Sequence, residues 1–170
     1  LFATDLDMDS EVALKFMRDK EQYGREIQTR RLGGTETDRG RLDPEYVIDV
    51  LNHYELDEDA SLIDPRLRGK YVLVMEKAER DMTDSLAHDG VAGRDRESIV
   101  RMLHDVISAL LYFNDQLSHV HGDVKPRNFV ETISNGKSRW KAIDLDAAVA
   151  HNSQLSSKCS TGFISTEIAR

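Results

Sequence analysis

The 170-residue chain has a single cysteine, Cys159, which excludes an intrachain disulfide and any cage of cysteines around zinc. One free thiol suits a reducing compartment, so a cytoplasmic location is expected. Long apolar runs are missing too. A run such as Tyr71 to Met75 falls far short of the roughly 20 residues that span a bilayer, and no membrane segment is expected. Basic charge is in the minority: 23 Lys and Arg face 31 Asp and Glu, a formal net charge of −8, which argues against nucleic acid as a partner. Neither a signal peptide, an internal repeat nor a low-complexity tract is expected.

What is present reads as a globular chain with apolar segments in order. Glu11 to Phe16 is a half-buried strand containing Lys15. Asp19 to Leu32 is a charged helix with acids early and arginines late, as the helix dipole prefers, and Gly33-Gly34 ends it. Tyr46 to Tyr54 fits strand or helix equally. Five acids between Glu55 and Asp64 read as a solvated loop, and Tyr71 to Met75, bounded by Gly69, as a buried strand. From Glu97 to Leu117, Ile99, Met102, Leu103, Val106, Ile107, Leu110 and Leu111 recur at the spacing of an amphipathic helix. Short strands follow, with turn signals at Pro126 and Asn135-Gly136.

The chemistry concentrates in His119 to Val130, H-V-H-G-D-V-K-P-R-N-F-V. An acid, a lysine, a proline-fixed turn and an amide fall within six residues there: Asp123, Lys125, Pro126 and Asn128. Phosphoryl transfer needs such a set: a carboxylate to orient a hydroxyl, a cation for phosphate charge, and an oxygen ligand for magnesium. Ile143-Asp144-Leu145-Asp146 then adds a carboxylate at a strand end, where a hard cation is held by oxygen. His119, His121 and Asp123 also alternate in a way that admits zinc, but His121 is better read as a brace for the loop.

These motifs, with Val12-Ala13-Leu14-Lys15 upstream and Ser165-Thr166-Glu167 downstream, resemble the eukaryotic protein kinase family in its serine/threonine branch. The resemblance implies an α+β, two-lobed fold with a small β-rich N-lobe and a mainly helical C-lobe. It assigns residues 1–76 to part of the N-lobe and 77–170 to the hinge and the first half of the C-lobe, as far as the end of the activation segment. It further implies ATP and Mg²⁺ as cofactors and a protein hydroxyl as the acceptor. Asp123 is then the catalytic base and Lys125 the phosphate contact, with Asn128 and Asp144 as magnesium ligands. Ala13 covers the adenine, Lys15 reaches the phosphates, and Glu26 is the best partner for Lys15, with Glu21 as the alternative. Met75 is the gatekeeper, the backbone of Glu76 to Ala78 the hinge, Asp81 a ribose contact, and Val130 with Ile143 the apolar floor.

Departures from the family pattern set further expectations. Gly122 stands where the family has an arginine that meets a phosphorylated loop, so switching by that contact is not expected. Asp146 replaces a glycine, which predicts backbone strain there; its carboxylate either adds to metal binding or repels Asp144. Thr166 replaces a proline, and Ser160 and Thr161 lie near the expected acceptor-docking end. No glycine occurs in residues 1–11, where a phosphate-covering loop belongs, and a fragment truncated at both ends is expected. A pseudokinase that binds without transfer and a small-molecule phosphotransferase are the rival readings.

Overall fold

The computed structural model describes residues 1–5, 10–32, 41–56, 70–88, 95–154 and 163. Gly33-Gly34, Gly69, Cys159, Ser160, Thr161, Thr166, Glu167 and most of the acidic run (Asp57, Glu58, Asp59 and Asp64) lie outside the described residues. The fold is mixed α/β, with several antiparallel sheets and few helices.

Strands β1 (Phe2–Asp5), β2 (Ser10–Met17), β3 (Val50–Glu55) and β4 (Tyr71–Glu76) form a four-stranded sheet in the order β1-β2-β4-β3. Every neighbouring pair in it is antiparallel, and the register sets Ala13 opposite Met75 and Lys15 opposite Leu73. Helix α1 (Lys20–Arg30) begins where the Asp19 carboxylate accepts a hydrogen bond from the Gln22 amide at 2.8 Å, which satisfies one of the amides orphaned at a helix start. Two faces of α1 are used. Tyr23 and Ile27 pack on the core of Met17, Tyr71 and Leu73, and the Tyr23 ring stacks on Tyr71 at 4.6 Å. Glu26, Thr29 and Arg30 are buried as well, although all are polar.

The Tyr46 to Tyr54 segment resolves into a turn, a bridge and a strand. Residues 44–46 turn, Val47 makes a parallel bridge to Ala142, and β3 starts only at Val50. Leu42 and Val47 join a second core with Met82, Met102, Phe113, Phe129 and Trp140. Around that core lie β5 (Arg80–Asp81), α2 (Met82–His88), α3 (Arg96–Leu111), β6 (His119–Val120), β7 (Phe129–Ser134), β8 (Lys137–Ala142) and β9 (Val149–Ala150). Strands β5, β7 and β8 form one sheet, and β6 pairs with β9. The β7–β8 turn is Asn135-Gly136, both with positive φ (52° and 73°), the geometry that follows the twist of a hairpin.

Helix α3 is shorter than its apolar pattern predicts. At Tyr112 the backbone widens into a π-helical turn, Tyr112–Gln116, which turns both Tyr112 and Phe113 inward. Met102 and Ala109 are buried and Val106 and Leu110 pack against the core, but Leu103, Ile107 and Leu111 are each more than half exposed (52%, 53% and 52%). Seven apolar positions spread over a wider arc than one core contact covers. Among the described residues, no helix is long and apolar enough to cross a membrane.

Candidate functional site

Strand alternation puts Ala13 and Lys15 on one face of β2, and both are half-buried. The Lys15 ammonium lies 2.7 Å from Asp144 Oδ1 and 3.2 Å from Glu26 Oε2. Glu26, and not the exposed Glu21, is therefore the partner, although only eleven residues separate it from Lys15. Glu21 pairs loosely with Arg25, at 3.9 Å. Glu26 is fully buried, and its second oxygen, Oε1, receives the Arg30 guanidinium at 2.9 and 2.8 Å. Burial by itself would raise this carboxyl, but the charges of Arg30 and Lys15 outweigh it and hold the group below its ordinary value of 4.5.

Asp144 ends the run from β8 with φ of 63°, a left-handed conformation that a short polar side chain tolerates. The next residues, Leu145–Ala147, form a 3₁₀ turn. This corrects the expectation of strain at Asp146, because the left-handed residue is Asp144 while Asp146 sits within that turn, fully buried. Helix α1 grips the turn at three points. Glu26 Oε2 accepts from the Leu145 amide at 2.8 Å, Thr29 Oγ1 donates to the Leu145 carbonyl at 3.3 Å, and Arg25 Nε donates to the Asp146 carbonyl at 3.0 Å. Carboxylate oxygens of Glu26, Asp144 and Asp146 lie within 4.8 Å of one another.

Gly122 has a packing reason. Its φ is 79°, and a Cβ there would run into the carbonyl of Ala147, the last residue of the same 3₁₀ turn. Gly122 thus abuts the residue that follows Asp146.

Asp123 is buried (3% exposed), with Lys125 Nζ at 2.5 Å from its Oδ2. Asn128, equally buried, donates through Nδ2 to the Asp123 carbonyl at 2.8 Å and to Oδ2 at 3.1 Å. His121 braces the loop from behind. Its Nδ1 accepts from the Asp123 amide at 3.4 Å, which leaves Nε2 to donate to the Ile143 carbonyl at 3.0 Å. Burial between Phe113 and Phe129 pushes this imidazole below 6.5, so the neutral ring is the one that fits these bonds. The Ile143 amide in turn donates to the Asn128 carbonyl at 3.0 Å, tying the Asp123 loop to the segment that carries Asp144.

Val130 is buried and pairs with Asp81 and Lys141, Ile143 is half-buried, and Met75 faces Ala13 across β2 and β4. Ala78 is half-buried just after β4. Glu76 holds Lys141 at 2.5 Å and accepts from the Asp49 amide at 3.1 Å. Asp81 is spent locally, because its carboxylate accepts from the Asp84 amide at 3.0 Å at the start of α2.

Arg25, Thr29 and Arg30 go unnoticed in the sequence. The four-residue step from Glu26 to Arg30 is the one signal that points to any of them. Elsewhere, a cleft of about 750 Å³ lies between α3 and the β7–β8 hairpin. Within it Arg80 pairs with Glu131 at 2.7 Å and Arg139 with Asp105 at 3.2 Å, and the cluster around Lys15 and Asp123 remains the better site. No protein-family model matches the chain, and no curated protein matches it either.

Proposed function

We propose that the chain is the nucleotide-binding and catalytic-loop part of a two-lobed, protein-kinase-like phosphotransferase, which moves the γ-phosphoryl group of ATP to a serine or threonine hydroxyl of a protein. The observation that carries this reading is the Lys15 ammonium held between Glu26 and Asp144, with Asp123, Lys125 and Asn128 joined to Asp144 through Ile143 and His121. Lys15 supplies charge for the nucleotide phosphates. Asp123 accepts the hydroxyl hydrogen bond and takes the proton as the new P–O bond forms, while the old bond to the β-phosphate oxygen breaks. Lys125, already against Asp123, neutralises the transferring group. Asn128 holds the Asp123 carboxylate with its NH₂, which leaves its amide oxygen facing the role of ligand.

The donors fit magnesium. An amide oxygen from Asn128 and a carboxylate from Asp144 are the hard oxygen ligands that this ion takes, and when bound it offsets phosphate charge. The two departures do not call for loss of transfer, since Gly122 is matched to the Ala147 carbonyl and Asp146 occupies an ordinary 3₁₀ turn. The Lys125-Pro126 pair favours a protein acceptor over a small alcohol, by resemblance.

The test is transfer of label from γ-labelled Mg-ATP to mixed protein acceptors and to small alcohols, side by side, with Asp123→Asn as the control. Transfer to protein is expected to fall by roughly a hundredfold to ten-thousandfold in Asp123→Asn. Binding of Mg-ATP without transfer to any acceptor would favour the pseudokinase reading, and label in the alcohols alone a small-molecule phosphotransferase.

A further inference from the structure

The cleft between α3 and the β7–β8 hairpin sorts its charges by depth. Its two acids, among the described residues, lie in the walls, and their side chains are each only 11% exposed. Both are used there. Asp105 accepts from the Trp140 amide at 3.1 Å through Oδ2 and from Arg139 Nη1 at 3.2 Å through Oδ1. Glu131 accepts from Ser138 Oγ through Oε1 and from Arg80 Nε at 2.7 Å through Oε2. The cations reach outward instead. Arg101 stands on the helix wall with its side chain 68% exposed, and Lys137 is exposed on the hairpin wall. Between the walls the surface is apolar: Met102 and Trp140 are buried in the core beneath, and Val100 is more than half exposed.

A chain of net charge −8 repels an acidic partner over most of its surface. At this cleft solvent meets arginine and lysine, while the two carboxylates are spent on bonds within the walls. The contact of Arg101 with Glu97, 3.6 Å between two well-exposed side chains, holds it only weakly. Charge complementarity therefore selects an acidic occupant, and an arginine-lined site is a recurring way to recognise acidic segments. The apolar surface of Val100, Met102 and Trp140 selects an occupant that also carries an apolar side chain. Because the cations stand on two separate elements with that surface between them, an extended segment satisfies both demands. A nucleic acid is disfavoured by the net charge of the chain. The volume, about 750 Å³, lies in the range of ligand-binding pockets.

We propose that this cleft docks an acidic segment of a partner protein, with Arg101 and Lys137 taking its carboxylates and an apolar side chain of the segment covering Val100, Met102 and Trp140. The proposal stands independently of phosphoryl transfer. Trp140 is the single tryptophan of the chain, so tryptophan fluorescence reports on the cleft. The test titrates the whole chain with a short synthetic peptide of repeated Glu-Glu-Leu, beside the same peptide with Gln or with Lys in place of Glu, followed by fluorescence and calorimetry. The Glu peptide is expected to bind, to weaken as salt rises, and to bind roughly tenfold more tightly than the Gln peptide. The double variant Arg101→Glu, Lys137→Glu changes two exposed side chains and is expected to keep the wild-type unfolding midpoint while losing roughly tenfold or more in affinity. Arg101→Gln with Lys137→Gln is expected to lose a smaller part. Equal affinity of the wild type and the folded reversed variant overturns the proposal, as does equal binding of the Lys peptide or no binding of the Glu peptide. A response to inorganic triphosphate without one to the peptide would make the cleft a small-anion site and overturn it too. So would a dimer in sedimentation that the reversed variant abolishes, since the occupant would then be a second copy of the chain.

Discussion

Alanine at Gly122 is expected to destabilise the protein by about 3 kcal/mol, and the figure comes from two separable terms. The first is conformational: at φ of 79° an L-residue costs about 1–2 kcal/mol more than glycine. The second is steric. The added methyl meets the Ala147 carbonyl, and overpacking of this kind costs roughly 1–3 kcal/mol when the neighbour cannot retreat. Retreat is blocked here, since Glu26, Thr29 and Arg25 hold the same turn from the other side. Two internal controls isolate the terms. Gly136 has φ of 73° with nothing within 4 Å of a built Cβ, so Gly136→Ala carries the conformational term alone. Gly24, inside α1 and equally unobstructed, is helical, and alanine there is expected to stabilise by up to about 1 kcal/mol. Urea unfolding would rank the midpoints Gly24→Ala, wild type, Gly136→Ala, Gly122→Ala, in falling order at a common slope. For a chain of this length the last change corresponds to a fall of roughly 6–12 °C in Tm. Should Gly122→Ala prove no worse than Gly136→Ala, the contact with Ala147 would not be what makes this position glycine. Gly122→Arg, a far larger side chain at the same contact, is expected to lose at least as much stability.

Other outcomes follow from the buried charges and caps. The His121 imidazole lies below 6.5 in the folded protein, so the unfolded chain binds its proton first; stability should begin to fall as pH drops through about 6.5, and this slope should be smaller in His121→Gln, read from urea midpoints across the range. Glu26 is held below 4.5, so its contribution is fully present above that value and is lost only as pH falls through the lower folded value, producing a second, more acidic loss that Glu26→Gln removes. Asp19→Ala deletes the cap on α1 and is expected to cost about 1 kcal/mol, detectable as a shifted urea midpoint with an unchanged slope.

The locally determined elements are legible in the sequence. Strand β2 announces itself by alternation, α1 by Asp19 and its charge order, and the β7–β8 hairpin by Asn135-Gly136, because each depends on residues a few positions apart. Tyr46 to Tyr54 stays ambiguous until Val47 finds Ala142 and β3 finds β4, pairings that no local pattern encodes. Helix α3 satisfies its spacing, yet only the fold decides that Met102 is covered while Leu103 and Ile107 are not. At the site, Asp123, Asn128 and Asp144 are readable as chemistry and Lys15 and Glu26 only through the resemblance, and the geometry brings Lys15 to Glu26 and Asp144, and Asp123 to Asn128. The reason for glycine at 122 does not show in the sequence, because the Ala147 carbonyl that a Cβ would meet arrives only in three dimensions. Arg30 reads as an ordinary basic residue at a helix end, where the dipole alone would favour it. Its burial depends on Ile48 and Glu26 arriving from different directions.

The bonds that assemble the site span most of the chain: 129 residues from Lys15 to Asp144, 119 from Leu145 to Glu26 and 116 from Thr29 to Leu145. The β7–β8 hairpin and α3, by contrast, close over short loops whose entropy is small. A folding chain therefore reaches its hairpin and helices early and joins Lys15 to Asp144 late, after the long loops have been confined by other contacts. Substitutions at the junction are expected to quicken unfolding and leave the refolding rate nearly untouched. The time for which the native state lasts, more than the speed at which it forms, is then set at the ion cluster.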